Sequence, residues 1–321
     1  MARFRAIVGG LGPTVPSLGR FFIVLAIALI LILSRPIAFA SERPETPSVL
    51  QGRIDAAADM LKGDPRLHDL SEAQRRKTIQ FVMGNLLFVL LHEMGHVLIH
   101  EMGLPVLGRE EDAADSFATI TMLQMNNEFS DRVLSEAAQG WFYADRRDQA
   151  ENTPVVFYDA HSLNRQRAYQ VVCYMVGLDA ERYAAVADET GLPEDRQSTC
   201  AGDFSNAEWS WEKVLKEHKR TTQSKTTISV RYADPENPQV FPQIMKQIQL
   251  LEVVAQRFSE IYVWRAPFTI KADTCGHPNA DWNLATRTLT ICHEIAEDFG
   301  RLYAAYATQS PLTDYRPAPI P

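Results

Sequence analysis

The sequence lacks the excess of basic residues that a nucleic-acid-binding surface requires. Its 321 residues include 32 lysines and arginines against 40 aspartates and glutamates, which gives a formal net charge of -8. The first forty residues contain four arginines and no acid, so the rest of the chain is more acidic still. Because phosphate backbones are bound by basic faces, we expect no nucleic-acid partner.

Long apolar runs are also missing, apart from one near the N-terminus. FFIVLAIALILIL, residues 21–33, has about 13 residues, whereas a helix that spans a bilayer needs roughly 20. Arginines precede this run, and Ala38, Phe39 and Ala40 follow it, with small residues at the two positions that signal peptidase reads. The pattern predicts a signal peptide over residues 1–40 and a periplasmic or extracellular protein. If the signal is not cleaved, residues 21–33 anchor the chain in the membrane, and we expect no other membrane contact.

Cysteine is scarce, and no pair of cysteines has the Cys-x-x-Cys spacing that is typical of zinc held by thiolates. The chain has four cysteines, an even number, which in an oxidising compartment predicts two disulfides. We expect Cys173 to pair with Cys200 and Cys275 to pair with Cys292, because neighbours in sequence close the shorter loops. A zinc site shared by the four cysteines is the alternative.

No internal repeat divides the chain, and a hydrophobic content of 46% is enough for a buried core. Residues 41–48 are predicted to be a polar linker, residues 49–308 a single domain and residues 309–321 a flexible tail. Within the domain, residues 49–220 have mainly helical patterns, whereas residues 221–308 mix strand and helix patterns. The sequence therefore predicts an α+β fold with a mostly helical body and a small β-containing C-terminal part.

The stretch from Arg75 to Met102 predicts one long helix, because its apolar residues follow helical spacing and no proline interrupts it. Within this helix His92 and His96 are four residues apart, about 6 Å along the axis, so both rings can face one ion. Glu93 lies beside them and completes the His-Glu-x-x-His pattern, in which two histidines bind zinc and the glutamate is the general base. The pattern predicts a catalytic zinc site.

The extended form of this motif, with a third histidine, is absent. Ile99 stands at the position of its glycine and Met102 at the position of its histidine. His100 is eight residues from His92, about 12 Å along the helix axis, so the two cannot bind one ion from a regular helix. We interpret His100 as a surface histidine, and the third ligand must come from another segment.

Gly103 ends the predicted helix, and the turn LPVLG brings the acidic segment GREEDAAD to the open side of the site. Glu111 and Asp115 lie four residues apart on one helical face. We assign Glu111 as the third ligand and Asp115 as the carboxylate that orients a ligand histidine, with Glu110 and Asp112 pointing elsewhere. Glu110 is the competing ligand, and acids that only cap a solvated helix are the simpler explanation.

Peptide hydrolysis also requires a hydrogen-bond donor for the oxyanion that develops on the scissile carbonyl. We expect His161, in YDAHSLNRQR, to supply it, with Tyr158 as the alternative. An exposed histidine beside a helix cap explains the same residues without catalysis. The segment CGHPNADWN, residues 275–283, is predicted to be a loop between strands.

HEMGH followed by LPVLGREEDAAD resembles the zincin metallopeptidases whose third zinc ligand is a glutamate, and more closely a bacterial family assigned as metallopeptidases. FYDAHSLNRQRAYQVVCYMVG, LPEDRQSTC and CGHPNADWNLATRTLTICHE are also similar to that family. The resemblance implies a zincin-like fold and one zinc ion per chain, held by His92, His96 and Glu111, with Glu93 as general base. One position departs from the family, because His293 stands where a tyrosine is expected between cysteine and glutamate.

We therefore expect an exported zinc metallopeptidase that acts on a peptide or protein substrate through a metal-activated water. One alternative is a non-catalytic envelope protein that keeps the scaffold for binding, and another is a zinc hydrolase of a different amide bond. Glu93 argues against the first alternative, since a structural zinc needs no base beside its ligands. A fourth protein ligand would favour it.

Overall fold

The computed structural model describes residues 47–307, except residue 66, residues 222–226 and residues 235–238. The predicted signal peptide and the predicted tail lie outside the described residues, as does most of the predicted linker. The last two positions of that linker already belong to a helix. The described residues belong to one compact unit.

The described part of the chain contains a run of helices followed by a mixed segment. The helices of the first part are α1 (Pro47–Ala57), α2 (Glu72–Met102), α3 (Glu110–Leu123), α4 (Glu128–Ala150), α5 (Asn164–Leu178), α6 (Ala184–Thr190) and α7 (Glu194–Leu215). The elements of the second part are β1 (Ile228–Tyr232), α8 (Val240–Gln247), α9 (Leu250–Ile261), β2 (Phe268–Asp273), β3 (Ala280–Asn283), β4 (Thr288–Cys292) and α10 (His293–Tyr306). The predicted α+β class is confirmed.

The four strands form one sheet in the order β1-β2-β4-β3. The β1-β2 and β2-β4 pairs are parallel, whereas β3 pairs with β4 antiparallel and forms an edge. The prediction of a loop through residue 283 was wrong at residues 280–283, which are β3. This four-residue strand contains an aspartate and an asparagine, which disfavour strands locally, and it depends on its partner β4 for pairing.

Some helix boundaries lie where the apolar pattern of the sequence is weak or interrupted. α7 begins at Glu194 and has few buried side chains, so the helical periodicity of its apolar residues is faint. Gln249, whose φ is 59°, separates α8 from α9.

α2 is the central helix of the molecule, with most of its residues buried on every side. It begins at a capping box formed by Ser71 and Gln74 and ends at Gly103, whose φ is 62°. α2 is long and apolar enough to span a bilayer, but 94% of its most apolar 18-residue stretch is buried inside the protein. We therefore interpret it as a core helix.

Two disulfides connect the cysteines, in the pairing that the shorter loops favoured. Cys173 of α5 is bonded to Cys200 of α7, and Cys275 is bonded to Cys292 at the end of β4. A Cβ at Gly177 would lie only 2.3 Å from the carbonyl oxygen of Cys200, so glycine is needed where α5 and α7 approach each other. The two disulfides indicate an oxidising, exported environment.

Candidate metal centre

The close packing of α2 against α3 brings the histidines of one helix to the acids of the other. At the crossing, a Cβ added to Gly95 would lie 3.0 Å from Cα of Ala114. A larger residue at either position would separate the helices. Because Gly95 lies next to His96 and Ala114 next to Asp115, this contact sets the distances across the site.

Three side chains direct one donor atom each toward a common point. The Nε2 atoms of His92 and His96 are 3.2 Å apart, and Glu111 Oε2 lies 3.1 Å from the first and 3.3 Å from the second. With bonds of about 2.1 Å, two ligand atoms of a tetrahedral zinc ion lie roughly 3.4 Å apart. The residues present therefore fit a zinc ion in donor type and in spacing.

The outer nitrogen of each histidine contacts a carboxylate. His92 Nδ1 lies 2.8 Å from Asp115 Oδ1, and His96 Nδ1 lies 2.7 Å from Glu110 Oε1. Such contacts fix the ring orientation and leave Nε2 free for a metal. The expectation that Glu110 points elsewhere was wrong, because Glu110 contacts the outer nitrogen of His96 while Glu111 contacts both inner nitrogens.

Arg167 of α5 holds Asp115 in place. Its Nε and Nη2 donate to the two carboxylate oxygens at 2.7 Å each, and its guanidinium lies 3.7 Å from the ring centre of Trp141. Burial alone would raise the pKa of Asp115, but Arg167 and the hydrogen bond with His92 lower it instead. Local sequence does not reveal this role, because its single signal is an arginine at the start of an apolar helical stretch.

Glu93 is a buried carboxyl beside the two histidines. One of its oxygens lies within 4.8 Å of a ring nitrogen of both His92 and His96. Burial raises its pKa above the usual value against the lowering effect of the histidines, and Glu111 and Asp281 raise it further. Asp281, on the edge strand β3, is a second residue near the site that no local sequence pattern predicts.

The three donor groups are electrostatically coupled. Burial lowers the pKa of His92, but hydrogen bonds with Asp115 and Glu111 outweigh it and raise that pKa to about 9. The pKa of His96 is raised in the same way by Glu111 and Glu110. Burial alone would raise the pKa of Glu111, but hydrogen bonds from His161 and the other two histidines lower it. The carboxylates thus favour positive charge at the point where the donors converge.

His161 lies at the edge of this cluster. Its Nε2 is 2.9 Å from Glu111 Oε2, and its side chain is 47% exposed. The loop before α5 is held to the start of α3, because Ser162 donates a hydrogen bond to Asp112 at 2.6 Å. Tyr158, the alternative oxyanion donor, is 92% exposed.

His100 lies apart from the converging donors, as its position eight residues from His92 required. It is 41% exposed, and its Nε2 lies 2.9 Å from Glu110 Oε1. The same carboxylate oxygen contacts Nδ1 of His96. Glu110 therefore connects two histidines on the outer side of the cluster.

A comparison with known protein families identifies the family of this chain. A family model, DUF4344, described as "Putative metallopeptidase", matches residues 54–215. This match covers half of the chain, and the chain belongs to that family. It spans α2 and α3, with all the residues of the candidate centre except Asp281. No curated protein and no solved structure matches the chain.

Proposed function

We propose that the protein is an exported zinc-dependent peptidase whose metal is held by His92, His96 and Glu111, with Glu93 as general base. The observation that carries the proposal is the triangle of donor atoms, with sides of 3.1, 3.2 and 3.3 Å. Two histidines and one carboxylate are the ligand set of catalytic zinc sites that keep an open position. Calcium and magnesium, in contrast, prefer oxygen ligands.

Bound zinc would act as a Lewis acid on the scissile carbonyl and on the attacking water. Glu93 takes the proton of that water and passes it to the amine that leaves. Its burial supports this role, because desolvation raises the pKa of the carboxyl toward the range in which a group can both accept and release a proton.

His161 is the proposed donor to the oxyanion. Its Nε2 lies within hydrogen-bond distance of the proposed ligand Glu111, and its half-exposed ring can be reached by a substrate. Asp159 accepts a hydrogen bond from the backbone N–H of His161 at 2.8 Å, and this bond orients the residue.

A second candidate function has one observation in its favour. Ligand atoms of His92, Glu111 and His161 lie within 4.8 Å of one another, so His161 could become a fourth protein ligand. A closed four-ligand sphere is typical of structural zinc, and the protein would then be a non-catalytic member of its family.

Two variants of the mature protein distinguish these functions. Metal analysis of the wild type should find about one zinc per chain, and Glu93→Gln should retain the zinc while losing peptide hydrolysis by two orders of magnitude or more. A purified protein that binds no zinc at neutral pH contradicts the metal site. Hydrolysis that survives Glu93→Gln contradicts the mechanism, and tighter zinc binding in the wild type than in His161→Ala, without any hydrolysis, supports the non-catalytic function.

The neighbouring pair of glutamates gives a matched test of the ligand assignment. Glu111→Gln should abolish stoichiometric zinc binding, because it removes a charged ligand. Glu110→Gln should weaken zinc binding only about 10- to 100-fold, because it affects the orientation of His96. The reverse order of effects in a zinc competition titration would assign Glu110 as the ligand.

A further inference from the structure

A cavity of about 630 Å³ lies beside α2 and α3, and none of the residues proposed to hold the metal lines it. We propose that this cavity binds the alkyl tail of a single-chain amphiphile, with an anionic head group, of the long-chain carboxylate class, held at its mouth. The volume is within the range of roughly 300–1,000 Å³ that is usual for small-molecule sites. This inference is independent of the peptidase proposal.

Buried apolar residues of six helices line the cavity, and three of these helices supply the residues that follow. Leu87 and Leu91 of α2, Phe117 and Ile120 of α3 and Phe258 of α9 line it, and each is at most 5% exposed. Such a surface is favourable for an alkyl chain, which gains free energy when it leaves water, and offers a charged or polar ligand no partners.

One tyrosine at the cavity has a hydroxyl without a hydrogen-bond partner in the described part of the chain. Tyr262 is only 6% exposed, yet among the described residues no group forms a hydrogen bond with its hydroxyl. Because Tyr262 lines the cavity, its unpaired hydroxyl is available to an acceptor on a ligand. Burial raises the pKa of Tyr262 to about 12 although Arg257 lowers it, so the hydroxyl remains a donor near a cation.

The mouth of the cavity is polar and contains two cations. Arg257 and Lys219 line it, are exposed, and have no ion-pair partner in the described part of the chain. Glu212 is the single acid among the lining residues. A carboxylate at this position could pair with Arg257 and accept a hydrogen bond from Tyr262, a charge-assisted arrangement.

The same polar rim argues against a second copy or a partner helix as the occupant. Gln124 and Gln256 are exposed lining residues, like the three charged residues at the mouth. Met125 is the single exposed apolar residue of the lining, so the rim is mainly polar. A docking helix needs a continuous apolar face, whereas an alkyl tail can enter end-on through a polar opening.

Isothermal titration calorimetry with decanoate and with 1-decanol, below micelle formation, tests the proposal on the mature protein. Both should bind saturably at one site per chain. Arg257→Ala and Tyr262→Phe should each weaken decanoate about fivefold, as the loss of one hydrogen bond or ion pair predicts, and leave decanol unchanged. Val253→Phe, which narrows the cavity, should weaken both ligands.

Arg265→Ala is the matched control, because Arg265 is an exposed arginine outside the lining of the cavity. It should bind both ligands as the wild type does. Failure of decanoate to saturate a site, or equal binding of decanoate by wild type and Arg257→Ala, overturns the proposal. So does concentration-dependent dimerisation that Val253→Phe abolishes in light scattering, because the surface would then be an interface between copies.

Discussion

At the scale of single residues, the candidate centre depends on a chain of contacts that begins at the buried Arg167 and ends at the partly exposed Glu111. Arg167 fixes Asp115, Asp115 contacts the outer nitrogen of His92, and the inner nitrogen of His92 faces Glu111. Each contact satisfies a group that would be costly to bury alone. The ligand histidine is therefore oriented before any ion arrives.

Arg167→Ala should destabilise the protein and weaken metal binding together. The change leaves Asp115 buried without its main cation, and breaking such a pair costs about 3–5 kcal/mol. Zinc affinity should fall about 10- to 100-fold through the loss of orientation. Urea unfolding and zinc competition measure the two effects. Arg165→Ala is the control, because Arg165 is on the same helix but pairs with the more peripheral Asp145. It should leave zinc affinity unchanged. An equal loss of zinc affinity in both variants contradicts the proposed chain of contacts from Arg167 to His92.

Glu136 should make the stability of the fold depend on pH. Burial raises its pKa to about 7, against the lowering effects of Arg132 and Lys77. A carboxyl whose pKa is higher in the folded state than in the unfolded state favours folding in its protonated form. Its favourable contribution is present below about pH 4.5 and is lost as the pH rises through 7, by at most about 3.5 kcal/mol.

The variant Glu136→Gln isolates this contribution. The difference in the free energy of unfolding between wild type and variant should change across that pH window, with the wild type losing more stability as the pH rises. Denaturant titrations from pH 4.5 to pH 8 measure it. A difference that is constant with pH means that Glu136 titrates normally.

At the scale of elements, the distance between α2 and α3 decides whether their side chains converge. Gly95→Val should force the helices apart, since even a Cβ would lie 3.0 Å from Ala114 Cα. We expect a loss of about 1–3 kcal/mol in stability and weaker zinc binding. Gly202→Val in α7, where nothing lies within 4 Å, should change stability by no more than about 0.5 kcal/mol. Unchanged zinc affinity in Gly95→Val would show that the crossing does not set the site.

A second element-scale contact joins the sheet to α2. Arg287, in the turn between β3 and β4, donates to Glu101 near the end of α2 at 2.6 Å, and Glu101 is almost fully buried. The same turn and strand position Asp281 near Glu93. The C-terminal sheet thus contributes to the environment of the general base although it lies outside the part matched by the family model.

At the scale of the whole molecule, the disulfides restrict the unfolded chain. The Cys173–Cys200 bond joins residues 27 positions apart and ties α5, which carries Arg167, to α7. The double variant Cys173→Ser/Cys200→Ser should lose about 3 kcal/mol of stability by loop entropy. Urea unfolding with and without reductant measures this loss, and a reductant should destabilise the wild type more than the variant. If reductant destabilises the wild type and the double variant equally, the Cys173–Cys200 disulfide does not contribute to stability.

Much of the site followed from local sequence because its parts repeat with helical spacing. His92, Glu93 and His96 are on one predicted helix, and Glu111 and Asp115 share a face of the next, so helix geometry grouped the residues within each helix. Spacing could not decide the orientation of Glu110, because that depends on the angle at which α3 crosses α2. Arg167 and Asp281 were missed because no local pattern connects them with the histidines.

The sequence by itself determined the central helix, its glycine stop, the helix that follows, the α+β class and the pairs of cysteines, because each depends on neighbouring residues or short loops. Only the tertiary structure decided which carboxylate faces the inner nitrogens and which faces the outer ones. It also decided the edge strand β3 beside Glu93 and the apolar cavity that Tyr262 lines. These features arise where distant segments pack, and side-chain directions there are set by interhelical distance and strand pairing rather than by local propensity.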